Sequence, residues 1–458
     1  MKNLVMHRLL WVFLFAVSCV LSAHGQATTG GIRGVVTDQN GAVVSGGKVT
    51  LTRKSTGGTQ TVETNSSGQY EFTNLQPADD YAISVEAQNF KNVSLTDVRV
   101  SVNQTTDLPV QLAPGLVTEI VTVTAGGAEL VDTTSANLSK AFSSRQVVEL
   151  AQTTAGPAGS PAGVNNLALL APNVSSSGGV GVGTGGSVGG QRPRNNNFMV
   201  DGVDNNDKAV TGPQSYISPE EVAEFTLLQN QFSAEFARSN GGNFLTVTKS
   251  GTNDFHGTGY GFFRNRYLNA LDTIQKNAGV TRDKSSGDLF MPRSDYFRGG
   301  FNIGGPFPIP HFGEGGPVLK SGKDKFYFFT SYERVQTGSA ASAGGIVTPT
   351  AAGFATLGII PALSANNLSA FNSFVPVAPV NDQGTISVLG RNIPIGSVSF
   401  AAPNFFKQNH AVINLDYLQS SATQHHVRFT FTNGADIDNI ANLPVFFIPI
   451  PSKQRLFS

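Results

Sequence analysis

The stretch His410-Ala411-Val412-Ile413-Asn414-Leu415-Asp416-Tyr417-Leu418 alternates with a period of two. Ala411, Ile413, Leu415 and Tyr417 fall on one side of an extended chain, opposite His410, Asn414 and Asp416. Gln424 to Asn433 repeats the pattern, with Val427, Phe429 and Phe431 set against His426, Arg428 and Thr430. Tyr296 to Gly304 does the same, with Phe297, Gly299, Phe301 and Ile303 opposed by Tyr296, Arg298 and Asn302. One face holds aromatics and the other holds charge, which is what a barrel wall between lipid and a wet lumen requires. A soluble sheet half buried on a core has the same period, so the rest of the chain must decide. Gln419 to Thr423 is a short polar turn between two of these segments.

Composition points the same way. Of 458 residues only 14% are charged, 51 are Gly, 32 are Phe and one is Trp, which suits β-structure rich in turns and not a helical bundle. Basic and acidic residues number 31 each, so no net field draws the chain to nucleic acid or anionic lipid. The length allows about three domains. Lys2, His7 and Arg8 precede an apolar run from Leu9 to Leu21 that ends in Ala23-His24-Gly25, the pattern of a secretory signal peptide over residues 1–25. A membrane anchor would need ~20 apolar residues, and a lipoprotein signal at Cys19 would lack its usual Leu. Cleavage after Gly25 removes the only cysteine and leaves no thiol for a disulfide or a metal. An exported chain with no later apolar helix can cross a membrane only as a barrel.

From Gly30 to Leu112 short β-segments alternate with turn signals: Gly34 to Thr37 into a turn on Asn40-Gly41, then Lys48 to Arg53, Thr59 to Thr64, Gln69 to Phe72, Tyr81 to Ala87 and Gln104 to Leu112. The spacing predicts an Ig-like sandwich of about seven strands, with Val49, Leu51, Tyr70, Phe72, Leu75, Tyr81, Ile83 and Val85 in its core. The runs Gly34-Val35-Val36-Thr37-Asp38, Asn40 to Val44, Asn65 to Phe72 and Leu75-Gln76-Pro77 resemble the carboxypeptidase regulatory-like domain. The loop Pro77-Ala78-Asp79-Asp80 departs from that family's Pro-Gly. The resemblance implies a carbohydrate-binding-like fold over residues 28–114, although no cluster of exposed aromatics accompanies it.

Glu119-Ile120-Val121-Thr122-Val123-Thr124-Ala125 reads as an ordinary strand by its β-branched content. In its position after Pro114-Gly115 it also resembles a TonB box, which implies an extended segment left unpaired so that TonB can take it up by strand addition. From Ala128 to Ser250, in an expected domain over residues 116–250, the pattern changes to mixed α and β. Ser143-Ser144-Arg145-Gln146 and Ser218-Pro219-Glu220-Glu221 carry helix-start signals, Leu167 to Leu170 is a short apolar segment, and strands are predicted at Phe225 to Gln229 and Phe244 to Thr248. Asn197-Phe198-Met199-Val200-Asp201-Gly202 resembles the plug of TonB-dependent receptors, and Phe232 to Gly242 running into Thr248-Lys249-Ser250-Gly251-Thr252-Asn253 resembles the plug-to-barrel junction of Oar-like transporters. Asp201-Gly202 suits a tight turn, and Gly241-Gly242 a sharp reversal between a helical turn and the last strand of this region, where a Cβ would be costly if φ is positive. Arg298 to Pro306 and Lys325 to Glu333 resemble early strands of the same barrels.

These readings give a mainly β chain: signal peptide, Ig-like β-sandwich, α+β plug, and over residues 254–458 a partial antiparallel transmembrane β-barrel. Ala270 to Pro292 and Gln336 to Gly353 are predicted extracellular loops. Plugged transporters have about 22 strands, five or six are legible here, and Pro449 and Pro451 do not suit an interior strand, so a truncated reading frame is expected. Gly181 to Gly186 fits a dinucleotide fingerprint, and Gly185 to Gly189 a nucleophile elbow, only as strings, because no strand and helix flank them. His425 and His426 point to opposite faces of a strand and cannot share a metal; Val203 breaks the calcium-loop pattern of Asp201 to Asp207. The resemblance implies an outer-membrane importer with no cofactor, no metal and no catalytic residue. Its expected partners are TonB, outer-membrane lipid and a small or oligomeric ligand (siderophore, oligosaccharide or peptide), with no nucleic acid. The rival readings are a secreted β-rich adhesion or carbohydrate-binding protein and a non-functional remnant.

Overall fold

The structure, a computed structural model, describes residues 29–115, 120–124, 138–150, 163–176, 186–207, 212–230, 236, 239–265, 268, 294–310, 319–340, 344–400, 403–420, 423–438 and 448–457. The expected signal peptide, the Ala270 to Pro292 loop and Gly181 to Gly185 lie outside these residues. Among the described residues no helix is long and apolar enough to cross a membrane, which says nothing of strands.

Two sheets make the N-terminal sandwich. β1 (Gly30–Asp38) lies between β4 (Gln69–Leu75), antiparallel, and the short β7 (Thr105–Asp107) and β8 (Val110–Leu112), both parallel to it. The facing sheet has the order β3-β2-β5-β6, from β3 (Thr59–Glu63), β2 (Lys48–Arg53), β5 (Ala78–Glu86) and β6 (Asn92–Val100), and β9 (Ile120–Thr124) extends it at the edge. All eight expected core residues are buried, joined by Ile32, Val36, Val98, Val110 and Leu112. β6 is absent from the sequence reading although Val93, Leu95, Val98 and Val100 are buried along it, because a bulge at Asp97 (φ 59°) breaks its period. The Asn40-Gly41 turn is held by Asp38, whose carboxylate accepts from the Asn40 and Ala42 amides at 2.8 Å each.

A five-stranded mixed sheet follows, in the order β10-β13-β14-β11-β12: β10 (Leu138–Ser143), β11 (Asn197–Val200), β12 (Val203–Asp204), β13 (Val222–Asn230) and β14 (Asn243–Thr248). α1 (Ser144–Leu150) starts on the expected Ser143 and Gln146 exchange. Leu167 to Leu170 falls within a 3-10 helix, Gly163–Leu170. Ser218 to Glu221 forms the full capping box but opens only one 3-10 turn before β13 begins. This sheet has its own apolar core around Phe142, Val147, Leu167, Phe198, Phe225, Leu227 and Phe244.

The C-terminal part is one antiparallel wall. β15 (His256–Arg264), β16 (Ser294–Pro306) and β17 (Phe326–Ala340) pair in order; the chain then builds a small outer layer from β18 (Gly344–Pro349), α2 (Ala351–Gly358), α3 (Ala365–Phe374), β19 (Thr385–Val388) and β20 (Arg391–Phe400). It returns as β21 (Pro403–Leu418), β22 (Gln424–Asp438) and β23 (Ile448–Phe457). The expected loop over Gln336 to Gly353 is therefore corrected: its first residues extend β17, and the rest enters the outer layer, whose Leu357, Ile360 and Ile393 make a small core of their own. Pro449 and Pro451 do enter a strand, but it is the last of the sheet, where a missing donor can face the unpaired side. Six strands pair in one path, and β15 and β23 are not joined to each other among the described residues.

Gly34 lies where β1 passes close to Leu108: a Cβ there would stand 2.1 Å from the Leu108 carbonyl oxygen and 2.9 Å from the Tyr70 ring. The same carbonyl accepts the buried Tyr70 hydroxyl at 2.7 Å. Gly34→Ala is expected to force these elements apart and cost the sandwich about 1–3 kcal/mol or more, read as a lower urea midpoint of the sandwich transition.

Candidate functional site

The wall is inverted relative to a soluble sheet. Ile413 is 49% exposed, Phe429 40% and Phe301 52%, whereas His410, Arg428 and Arg298, on the alternate residues, are 1%, 4% and 3% exposed. The polar face is covered because the middle sheet packs against it. An exposed apolar face opposite a covered polar one excludes the half-buried soluble sheet.

The contact between the two is a seam of charge. From the middle sheet, Glu221 places its carboxylate 3.1 Å from the His410 Nε2 and 3.6 Å from an Arg428 nitrogen, accepts from Ser331 Oγ at 3.2 Å, and takes its own Ser218 amide at 3.0 Å. From the wall, Glu333 accepts from Arg298 Nε, Tyr216 and Ser218 at 2.7 Å each and from Tyr260 at 2.8 Å. Arg298 also lies 3.8 Å from Glu220 and over the Tyr260 and Phe262 rings at 5.3 and 5.4 Å. Burial pushes the Glu221 carboxyl up, but His410 and Arg428 outweigh it and hold it below the usual range. Burial likewise lowers the Lys249 ammonium, against the pull of Glu220 and Glu221. The seam is bonded by ion pairs and hydroxyls buried between the two parts, so each charge there depends on its partners.

Asp201 and Gly202 take positive φ (48° and 80°) in a two-residue turn between β11 and β12, as expected. That turn also serves the seam. Asp201 accepts from the Thr248 amide at 2.8 Å and hydroxyl at 2.7 Å and from Arg428 at 2.9 Å. Gly241 and Gly242 stand before β14, and neither has positive φ, so the condition under which a Cβ would strain the backbone is not met. Their need is close approach: a Cβ on Gly241 would lie 2.6 Å from Asn196 Oδ1, and one on Gly242 2.9 Å from Leu227 and from Val188. Sequence reasoning placed Arg298 and His410 on the polar face but missed Glu220, Glu221 and Glu333 as their partners. The available signal was a carboxylate closing each of two motifs, Glu221 in Ser218 to Glu221 and Glu333 in Lys325 to Glu333.

The sandwich is seated on both other parts. Val102, two residues beyond β6, is buried with Met199, Leu228, Phe236 and Leu245 of the middle region. Its amide donates to Glu224 at 2.7 Å, and Arg99 lies 3.6 Å from the same carboxylate. Burial raises the Glu224 carboxyl despite these partners. The turn after β2 reaches the wall's rim, where Ser55 accepts from the Asn253 amide at 2.9 Å and Thr56 from the Tyr327 hydroxyl at 3.0 Å. His426 meets Gln76 at 2.7 Å and Asp416 at 2.5 Å, and Ser250 also donates to Asp416. His425 turns away to Gln419.

Of the seven residues expected to meet TonB, Glu119 and Ala125 lie outside the described residues. Ile120 to Thr124 are β9, paired parallel to β6 with Asn92 opposite Ile120 and Thr96 opposite Thr124. The expectation that this segment is unpaired is corrected: it forms the edge strand of the sandwich sheet.

Residues 31–113 match the carboxypeptidase regulatory-like domain, and residues 247–446 match an outer membrane beta barrel domain. The chain is similar to the TonB-dependent transporter Oar of Myxococcus xanthus, with 28% identity over 293 residues. That match covers 62% of this chain and 24% of the relative, so it spans about a quarter of that protein's length. Among solved structures, the outer membrane transporter YddB of Escherichia coli matches 69% of this chain and 36% of its own at 13% identity and a TM-score of 0.37. A ferric enterobactin receptor of Pseudomonas aeruginosa matches 66% and 33% at 12% identity and 0.32. The chain thus carries a regulatory-like domain and an outer-membrane β-barrel domain, is homologous to Oar, and is a protein of the outer membrane.

Glu221 is titrated through the seam. Because its folded value is lowered from the ordinary 4.5, its stabilising contribution is present above that value and is lost as pH falls through the lowered one. Glu221→Gln should weaken the seam by about 1–3 kcal/mol at neutral pH and flatten the acid limb relative to the unaltered chain. Thermal unfolding of both proteins in detergent, from about pH 7 to about pH 3, checks it.

Proposed function

We propose that this outer-membrane chain is the front part of a TonB-dependent transporter, with residues 28–114 as a periplasmic sandwich, 116–250 as the plug and 254–458 as barrel wall. The observation that carries the reading is the polar seam. The middle region has an apolar core of its own, and the bonds it makes to the wall run through the charges and hydroxyls of Asp201, Tyr216, Ser218, Glu220 and Glu221. A body held this way inside a wet wall can shift as water replaces each bond, without exposing a core. An adhesion protein has no use for such a seam, and the regulatory-like domain shows no platform of exposed aromatics for sugar among its described residues.

The chemistry is movement and not catalysis. Ligand meets the outer side, where the layer of β18 to β20 stands, and TonB engages Glu119 to Ala125 on the periplasmic side. The titratable groups at the seam pair with one another, which is a structural use. The solute class follows the named relatives, a scarce compound such as a siderophore, with oligosaccharide and peptide as the other members of the class.

Deleting residues 119–125 should abolish binding of a TonB C-terminal domain to the chain in detergent, a loss of at least about tenfold in affinity. The melting of the sandwich should change little, since β9 is only an edge strand. Unchanged binding after the deletion removes the TonB-box assignment.

A further inference from the structure

β9 has two edges. One is bonded to β6 over Ile120 to Thr124; the other is the outer edge of a five-stranded sheet, and no described strand pairs with it. The chain just ahead of β9 is fixed as well: Lys91 donates to the Ala113 carbonyl at 2.9 Å, Gly115 donates to that of Asn89 at 3.2 Å, and Phe90 bridges Pro114. A strand with one bonded edge and one open edge is a template for another chain's strand. Strand addition needs only one edge.

β6 links this edge to the middle sheet. Its first half carries β9. Its last residue, Val100, is followed by Ser101 and then Val102, which sits in the apolar cluster of Met199, Leu228, Phe236 and Leu245 with its amide held by Glu224. A load on β9 that does not strip it from β6 is passed along one strand to the residue that plugs into the middle sheet.

Resting on the TonB-box reading above, we propose that TonB adds to the open edge of β9 while β9 stays on β6. The sandwich sheet and the TonB sheet then form one continuous sheet, and the pull reaches the plug through β6 and Val102. The sandwich presents the box in extended form and is itself part of the force path. The rival arrangement is competition, in which β9 must leave β6 before TonB can take it.

Locking β9 in place separates the two. Ser94 and Thr122 are register partners across β6 and β9, as are Thr96 and Thr124. Cα atoms paired in a sheet fall within disulfide range. Ser94→Cys with Thr122→Cys, and separately Thr96→Cys with Thr124→Cys, are placed in a Cys19→Ala chain, and binding of a TonB C-terminal domain is measured oxidised and reduced. The proposal expects the oxidised chain to bind within about threefold of the reduced one. Loss of binding on oxidation, restored by dithiothreitol, overturns it and leaves the TonB box standing. If the unaltered chain, like the chain lacking residues 119–125, does not bind, the box reading fails and takes this proposal with it. The second cysteine pair shows whether a loss seen with one reduced pair is only damage by its substitutions.

Discussion

Glu333 and Glu221 approach the same seam from opposite sides, and the architecture depends on their being answered. Glu333 accepts from one arginine and three hydroxyls; Glu221 is met by an imidazole, an arginine, a serine and its own helix-start amide. A buried carboxylate without partners is far too costly to keep charged, so Glu221 can be covered only where the wall supplies His410, Arg428 and Ser331, while Glu333, held by Arg298 of its own wall, takes two further hydroxyls from the middle region. This fixes which face of the wall the middle sheet takes. Once the polar face is covered, the alternation sends Phe301, Ile413 and Phe429 outward, and lipid is the solvent that suits them.

The same logic sorts the three contacts between parts. Within the sandwich and the middle sheet the mortar is apolar; between the middle sheet and the wall the bonds are polar; between the sandwich and the middle sheet Val102 sits in an apolar cluster, with Glu224 over its amide and beside Arg99, and Gln104 bonded to Ser139. Units with their own cores, joined by polar contacts, suit the plug proposed above. The sandwich, resting on the middle sheet through Val102 and on the wall's rim through Ser55 and Thr56, cannot be a freely tethered appendage in this arrangement.

Period-two patterning made the wall and most of the sandwich legible in the sequence, because a strand between two unlike media must alternate. β6 escaped since its period slips at Asp97, where the chain takes φ 59°. The outer layer escaped because Gln336 to Gly353 is rich in Gly, Ala and Ser, and its order comes from partners far along the chain, Val398 opposite Ile346 for instance. The reversal at Gly241-Gly242 was legible, but what makes a Cβ costly there, crowding by Asn196 and Leu227, is a tertiary fact that no local rule contains. The charged residues of the seam were visible one at a time, but pairing Arg298 with Glu333 or His410 with Glu221 needs the fold.

The central claim is that one face of the wall sees lipid and the other clasps the middle sheet. The direct measurement is a single-cysteine spin-label scan from residue 410 to residue 417 of the Cys19→Ala chain in bilayers, comparing collisions with oxygen and with a water-soluble nickel chelate. The account expects labels at Ala411, Ile413, Leu415 and Tyr417 to favour oxygen and those at His410, Val412, Asn414 and Asp416 to be shielded from it, with a period of two along β21. Labels on both faces that collide equally with the nickel reagent, with no alternation, would contradict it.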